Sequence, residues 1–162
     1  TVKCGPWNTE KSLLMGDAAH AVVPFYGQGM NCSMEDVLKL DLCLDEVSEN
    51  WPKAFDLYYA GRKKDADAIA DLAVENYYEM RDHVDNPDFI AKRAIEMKLE
   101  KKFPEYASKY NLVTFCEDVP YSVAKEKGNK QDKWLLDYCS KGKTADISSD
   151  ELERVYKALM NV

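Results

Sequence analysis

The segment GDAAHAVVPFYGQGMN, from Gly16 to Asn31, constrains this chain more than any other. No Asp, Glu, Lys or Arg occurs between Asp17 and Glu35. The run is too short, and too rich in Gly, Pro, Gln and Asn, to cross a bilayer. Before it, Ser12, Leu13, Leu14 and Met15 read as a short buried strand over 11–16, ending at Gly16-Asp17. After it, Met34, Val37, Leu38, Leu40, Leu42, Cys43, Leu44 and Val47 predict a helix over about 30–47. That helix is apolar on more than one face and is expected to be well buried. Residues 18–28 form the loop between, punctuated by Pro24, Gly27 and, just beyond it, Gly29.

This order has a physical use. A helix N-terminus presents free N–H groups and a partial positive charge. Glycines let backbone approach a ligand closely. Asp17, at a strand end, can accept hydrogen bonds from ligand hydroxyls. Pro24, Phe25 and Tyr26 can pack against a planar ring. The combination suits a ligand with a polyol and a group that becomes anionic.

The remainder reads as mostly helical. Pro52 opens a helix over 52–61, and a longer one follows over 63–84. Asn86-Pro87 breaks it, and 88–102 is helical again until Pro104. Residues 110–116 are ambiguous between strand and loop. Short helices are expected over 119–127 and 131–140. Ser148 and Glu151 form a capping box for a last helix. The run Glu96–Lys102 (EMKLEKK) reads as a solvated helix face, and Tyr77-Tyr78 as core. With 162 residues and 46% apolar composition, the chain is globular and has room for a core. Its net charge of −7 argues against a nucleic-acid surface. The five cysteines are scattered, without a C-x-x-C, so neither disulfides nor zinc are expected, and a reducing compartment is. The first residues lack an apolar signal-peptide core. A lone strand without partners, close to a start that is not Met, implies a piece of a longer protein.

The pattern G-D-A-A-H-A-x-x-P-x-x-G-Q-G-M-N-x-x-x-E-D, filled from Gly16 to Asp36, resembles the second FAD-binding motif of the flavoprotein aromatic hydroxylases, the FAD-dependent monooxygenases. PFYGQGMN, NYYEMRDHV and YNLVTF, in that order, extend the resemblance over most of 4–120. It implies a mainly α chain, one short strand and then helices, forming the C-terminal part of a p-hydroxybenzoate-hydroxylase-like α/β fold. Residues 1–48 would close the FAD-binding domain, 49–120 would add a helical segment to the substrate pocket, and 121–162 would form a C-terminal helical region. The resemblance implies FAD as cofactor, NADPH as reductant and hydroxylation through a flavin C4a-hydroperoxide. Asp17 would bind the ribityl chain. Gly29, Met30 and Asn31 would face the pyrimidine end of the flavin, with Pro24 and Gly27 completing the cofactor set. The family's first motif, G-x-G-x-x-G, is absent, so an N-terminal polypeptide carrying it is the implied partner.

Asn76, Glu79, Met80 and His83 fall on one face of a helix. From the residues alone, a half-buried helix with satisfied polar groups explains them. On the family pattern, Asn76, Glu79, Met80 and Tyr110 contact an aromatic substrate, and Phe25 and Gln28 sit where substrate meets flavin. No acid–base residue is assigned, because the cofactor carries the hard chemistry. Eukaryotic members sit on the cytosolic face of the mitochondrial outer membrane, which the resemblance therefore implies. Alternatives at this point are a hydroxylase with another aromatic substrate, and a helical module that binds a protein or membrane surface and no longer holds flavin.

Overall fold

The computed structural model describes residues 1–82, 85–142 and 146–162. Its helices in chain order are α1 (Asp17–His20), α2 (Gly29–Glu46), α3 (Trp51–Asp82), α4 (Pro87–Lys102), α5 (Lys109–Thr114), α6 (Tyr121–Ser140) and α7 (Ser149–Leu159). The chain divides into two compact units, Thr1–Tyr77 and Tyr78–Val162.

In the first unit, the strand expected over 11–16 shrinks to an isolated antiparallel bridge between Asn8 and Leu13. Its ends are closed by Thr9 N–H to the Ser12 carbonyl (2.9 Å) and Leu14 N–H to the Trp7 carbonyl (2.8 Å). A strand with so little to pair with is marginal. Trp7, Ala19, Tyr58 and Ala66 form the local core, with Leu13, Met15 and Leu40 against it.

α2 is not buried as its composition suggested. Only Cys32 and Asp36 are inside, while Met34, Val37, Leu38 and Leu42 are 66, 60, 58 and 51% exposed. Its apolar residues occupy several faces, and this unit covers one of them. α3 is one helix where two were expected. Gly61 is exposed, and a Cβ there would meet nothing. A solvent-facing glycine costs a helix only about 1 kcal/mol. Burial of Tyr58 and Arg62 on either side outweighs it.

In the second unit, α4 packs on α6 and α7, and α5 on α6. The Asn86 side chain accepts from Asp88 N–H and Phe89 N–H, with Pro87 in the first turn, so α4 starts where the sequence placed it. Ser108 Oγ accepts from Asn111 N–H (3.4 Å), and this cap tips the ambiguous 110–116 stretch into a helix. The short helices expected over 119–127 and 131–140 fuse into α6. Gly128 lies at their junction, where a Cβ would come within 2.5 Å of Lys109 Cγ. The glycine therefore admits α5 rather than breaking α6. Ser148 Oγ caps α7 through Glu151 N–H (3.2 Å), while the Glu151 side chain accepts from Tyr138.

The core of this unit is Ile95, Leu99, Tyr106, Leu135, Cys139, Leu152, Val155 and Leu159. That corrects the reading of EMKLEKK as a solvated face. Glu96 and Leu99 point inward, and Met97, Lys98, Lys101 and Lys102 point out. Tyr77 and Tyr78, expected in the core, are instead 37 and 47% exposed.

Candidate functional site: a glycine loop held by a buried ion network

The loop begins at Gly16, whose φ of +56° favours glycine. Its N–H donates to Asp36 Oδ2 (3.0 Å). Asp36 is fully buried on α2. The same oxygen lies 2.5 Å from His20 Nε2, and Oδ1 accepts from Arg62 Nε of α3 (2.7 Å). Arg62 Nη2 also donates to the Cys32 carbonyl (2.9 Å) and approaches Cys32 Sγ (3.1 Å). Asp36 thus ties the loop's first residue, the end of α1, the body of α2 and the middle of α3 together.

Burial works against a charged His20, but the Asp36 carboxylate, with the Cys32 sulfur beside it, pushes the ring from 6.5 up to about 10. Burial would raise the Asp36 carboxyl. His20, Arg62 and the Gly16 N–H instead hold it below the usual carboxylate range. His20, Cys32 and Asp36 lie within 4.8 Å of one another, a spacing a metal ion could use. Here the Arg62 guanidinium already contacts both the carboxylate and the sulfur, so a protein cation neutralises the cluster.

The loop then turns at Pro24–Gly27. Gly27 N–H donates to the Pro24 carbonyl (3.2 Å), and Gly27 has φ +68°. The Phe25 carbonyl accepts from Asn76 Nδ2 of α3 (2.6 Å). The Phe25 ring lies 4.8 Å from the Tyr77 ring. α2 starts at Gly29 with no side-chain cap on its first N–H groups. Gln28 is buried, and its Oε1 accepts from Asn31 Nδ2 (2.9 Å).

The segment therefore sorts by exposure. Ala19, His20, Tyr26, Gln28, Cys32 and Asp36 are buried and hold the loop. Asp17, Pro24, Gly27, Met30 and Asn31 are exposed, and Gly29 is half-exposed. Every residue in the cofactor set from the sequence is on the outward side. Gly29 adds a test of fit. A Cβ there would make an ordinary 3.5 Å contact with Val22, so the chain itself does not demand glycine. A ligand lying against the helix N-terminus would.

The substrate set divides between the units. Phe25, Gln28 and Asn76 lie in the first. Glu79, Met80 and Tyr110 lie in the second, and His83 falls outside the described residues. Glu79 accepts from Lys109 Nζ (2.6 Å), next in sequence to Tyr110. Lys109 also pairs with Asp132 (2.7 Å), which pairs with Lys92 (2.5 Å). Burial would raise Asp132, and these lysines hold it low. Tyr110 is 39% exposed, with the Phe115 ring 6.2 Å away. Asp36, Arg62, Lys109 and Asp132 were not singled out by the sequence. Asp36 was within reach, as the last residue of the glycine motif. The others pair only across long stretches of chain.

Residues 2–73 match the FAD binding domain family. That match supports FAD as the cofactor of this chain. Among its relatives are enzymes of one name. It is 48% identical over 130 residues to kynurenine 3-monooxygenase of Myxococcus xanthus, covering 79% of this chain and 28% of that protein. It is 46% identical over 142 residues to kynurenine 3-monooxygenase of Dictyostelium discoideum (79% of this chain, 31% of that protein). With kynurenine 3-monooxygenase of Legionella pneumophila (strain Corby) the identity is 40% over 141 residues (86% and 31%). The chain thus spans about three tenths of the length of these relatives.

Proposed function

We propose that this chain supplies one part of the flavin and substrate sites of an NADPH-dependent monooxygenase that hydroxylates L-kynurenine to 3-hydroxykynurenine with molecular oxygen. The observation that carries the reading is the sorting of the glycine segment: the His20–Asp36–Arg62 network that holds it is sealed inside, and Asp17, Pro24, Gly27, Met30 and Asn31 are presented outward. Asp17 accepts hydrogen bonds from the ribityl hydroxyls. The uncapped N–H groups at Gly29, Met30 and Asn31 place positive potential where a flavin gains negative charge. The chemistry a flavin held there would supply is the passage of electrons from NADPH to oxygen.

The residues of this chain orient the ring to be hydroxylated and keep water away from it. Phe25, Gln28, Asn76, Glu79, Met80 and Tyr110 are the proposed substrate contacts, taken from the family pattern. The amide and the phenol suit the amine and amino-acid ends of kynurenine. The substrate name rests on the relatives, which cover most of this chain at 40–48% identity.

Activity is proposed to need an N-terminal polypeptide carrying the first FAD motif. The apolar outer face of α2, with Met34, Val37, Leu38 and Leu42 open to solvent, supports this. In the proposed division, 1–48 closes the FAD-binding domain, 49–120 serves the substrate pocket and 121–162 is a helical extension. No helix among the described residues is long and apolar enough to cross a membrane. Residence on the cytosolic face of the mitochondrial outer membrane is proposed from the family resemblance, with the membrane surface as a further contact.

The test is the visible flavin spectrum and kynurenine turnover of the complete protein, beside Asp17→Ala. Loss of flavin retention in the variant is expected. Flavin bound equally well by both would sink the assignment. Binding without kynurenine turnover, but with turnover of another aromatic, would replace the substrate and keep the class.

A further inference from the structure

We infer that the adjacent residues Asn76 and Tyr77 on α3 are positioning residues for the flavin, acting on it through the Pro24–Gly27 turn. The inference rests on the flavin reading above. Asn76 Nδ2 holds the Phe25 carbonyl at 2.6 Å. The Tyr77 ring lies 4.8 Å from the Phe25 ring at an interplanar angle of 43°. One residue of α3 therefore holds the backbone of the turn, and the next holds its side chain.

The turn has little internal stiffness. It is closed by a 3.2 Å bond from Gly27 N–H to the Pro24 carbonyl, a long one for its type. Its glycine is exposed, with φ +68°. Besides the local Phe25 N–H bond to the Val23 carbonyl (2.9 Å), it is anchored from 51 positions away in the sequence. The turn leads directly through Gln28 into the first residues of α2, the proposed flavin-facing N–H groups. The body of α2 is fixed from the same helix by Arg62 at the Cys32 carbonyl, about four helical turns before Asn76. α3 thus sets both the helix and the turn that aims its N-terminus. Displacement of such a contact by about 1 Å is enough to weaken what it orients.

This role differs from contact with the substrate. A side chain that touches only substrate leaves FAD binding unchanged when substrate is absent. A side chain that sets the turn does not.

The experiment is FAD titration of the complete, flavin-stripped protein without substrate, followed by flavin fluorescence and visible circular dichroism. The variants are Asn76→Asp and Tyr77→Leu. Asn76→Asp keeps the shape but turns a donor into a charge facing a carbonyl, and should weaken FAD about tenfold. Tyr77→Leu removes one ring of a pair at an exposed position where the fold tolerates change, and should weaken FAD about fivefold. The visible circular dichroism of bound FAD should shift in both, with the urea midpoint of the protein within error of wild type. Affinities within twofold of wild type in both variants overturn the inference. So does weakened binding that appears only with a lowered urea midpoint, since that is general destabilisation. A wild-type protein with no affinity for FAD overturns the flavin reading itself.

Discussion

Asp36→Asn is the sharpest test of what holds the glycine segment together. The side chain keeps its size but loses its charge. One of its polar ends now donates, facing donors from Gly16, His20 and Arg62 that sit 3.0, 2.5 and 2.7 Å from the native carboxylate. Two routes give the magnitude. Removing one partner of a buried ion network typically costs about 3–5 kcal/mol. The rise of His20 from 6.5 to about 10, at ~1.4 kcal/mol per pH unit, corresponds to roughly 5 kcal/mol of coupling to its surroundings.

The pH dependence fixes the sign. The folded His20 is raised, so its contribution is complete below about pH 6.5 and is lost as pH climbs through about 10. The folded Asp36 is lowered, so its contribution is present above the ordinary carboxylate range and is lost as pH falls below it. Urea unfolding followed by tryptophan fluorescence is the assay, since buried Trp7 lies 5.3 Å from the His20 ring. At pH 6 the variant should be less stable by about 3–5 kcal/mol. The gap between wild type and variant should narrow steadily from pH 6.5 to 10. A loss under about 1 kcal/mol, or a gap that does not change over that range, would refute the network as the anchor of the loop.

Four other outcomes follow from the geometry. Gly27→Ala forces a side chain into positive φ and should cost about 1 kcal/mol of stability. Gly29→Ala should leave stability within about 0.5 kcal/mol while weakening FAD retention; paired thermal melts and flavin titrations separate the two. Leu38→Lys, on the exposed face of α2, should leave the urea midpoint of this chain unchanged and impair its assembly with the flavin-motif polypeptide in co-purification. Asp132→Asn removes the carboxylate that Lys92 and Lys109 share, leaving them Glu96 and Glu79, and should lower the stability of the second unit by about 1–3 kcal/mol, read as a lower urea midpoint of the helical circular dichroism signal.

The elements that local chemistry specifies were legible in the sequence. Asn86 with Pro87 starts α4, and Ser148 with Glu151 starts α7, because a cap is decided within a few residues. The glycine segment announced itself the same way: Gly16 and Gly27 stand where φ is positive, and α2 begins where the loop ends. What the linear chain could not show is which side of each element faces inward. Separate helices were expected on either side of 61–63 and of 127–131, yet Gly61 faces solvent and Gly128 admits Lys109. Glu96 read as solvated, yet it is buried beside Lys92 and Arg93.

The candidate site divides along the same line. The sequence by itself determined the exposed glycine loop, because positive-φ glycines and a helix start are properties of adjacent residues. Only the tertiary structure decided what holds it, because Arg62 reaches Asp36 across 26 positions and Asn76 reaches Phe25 across 51. Such pairs form only after the chain has folded back on itself, and burial then makes each unpaired member costly. The physical separation is between backbone conformation, which is written locally, and buried charge, whose partner is chosen by the fold.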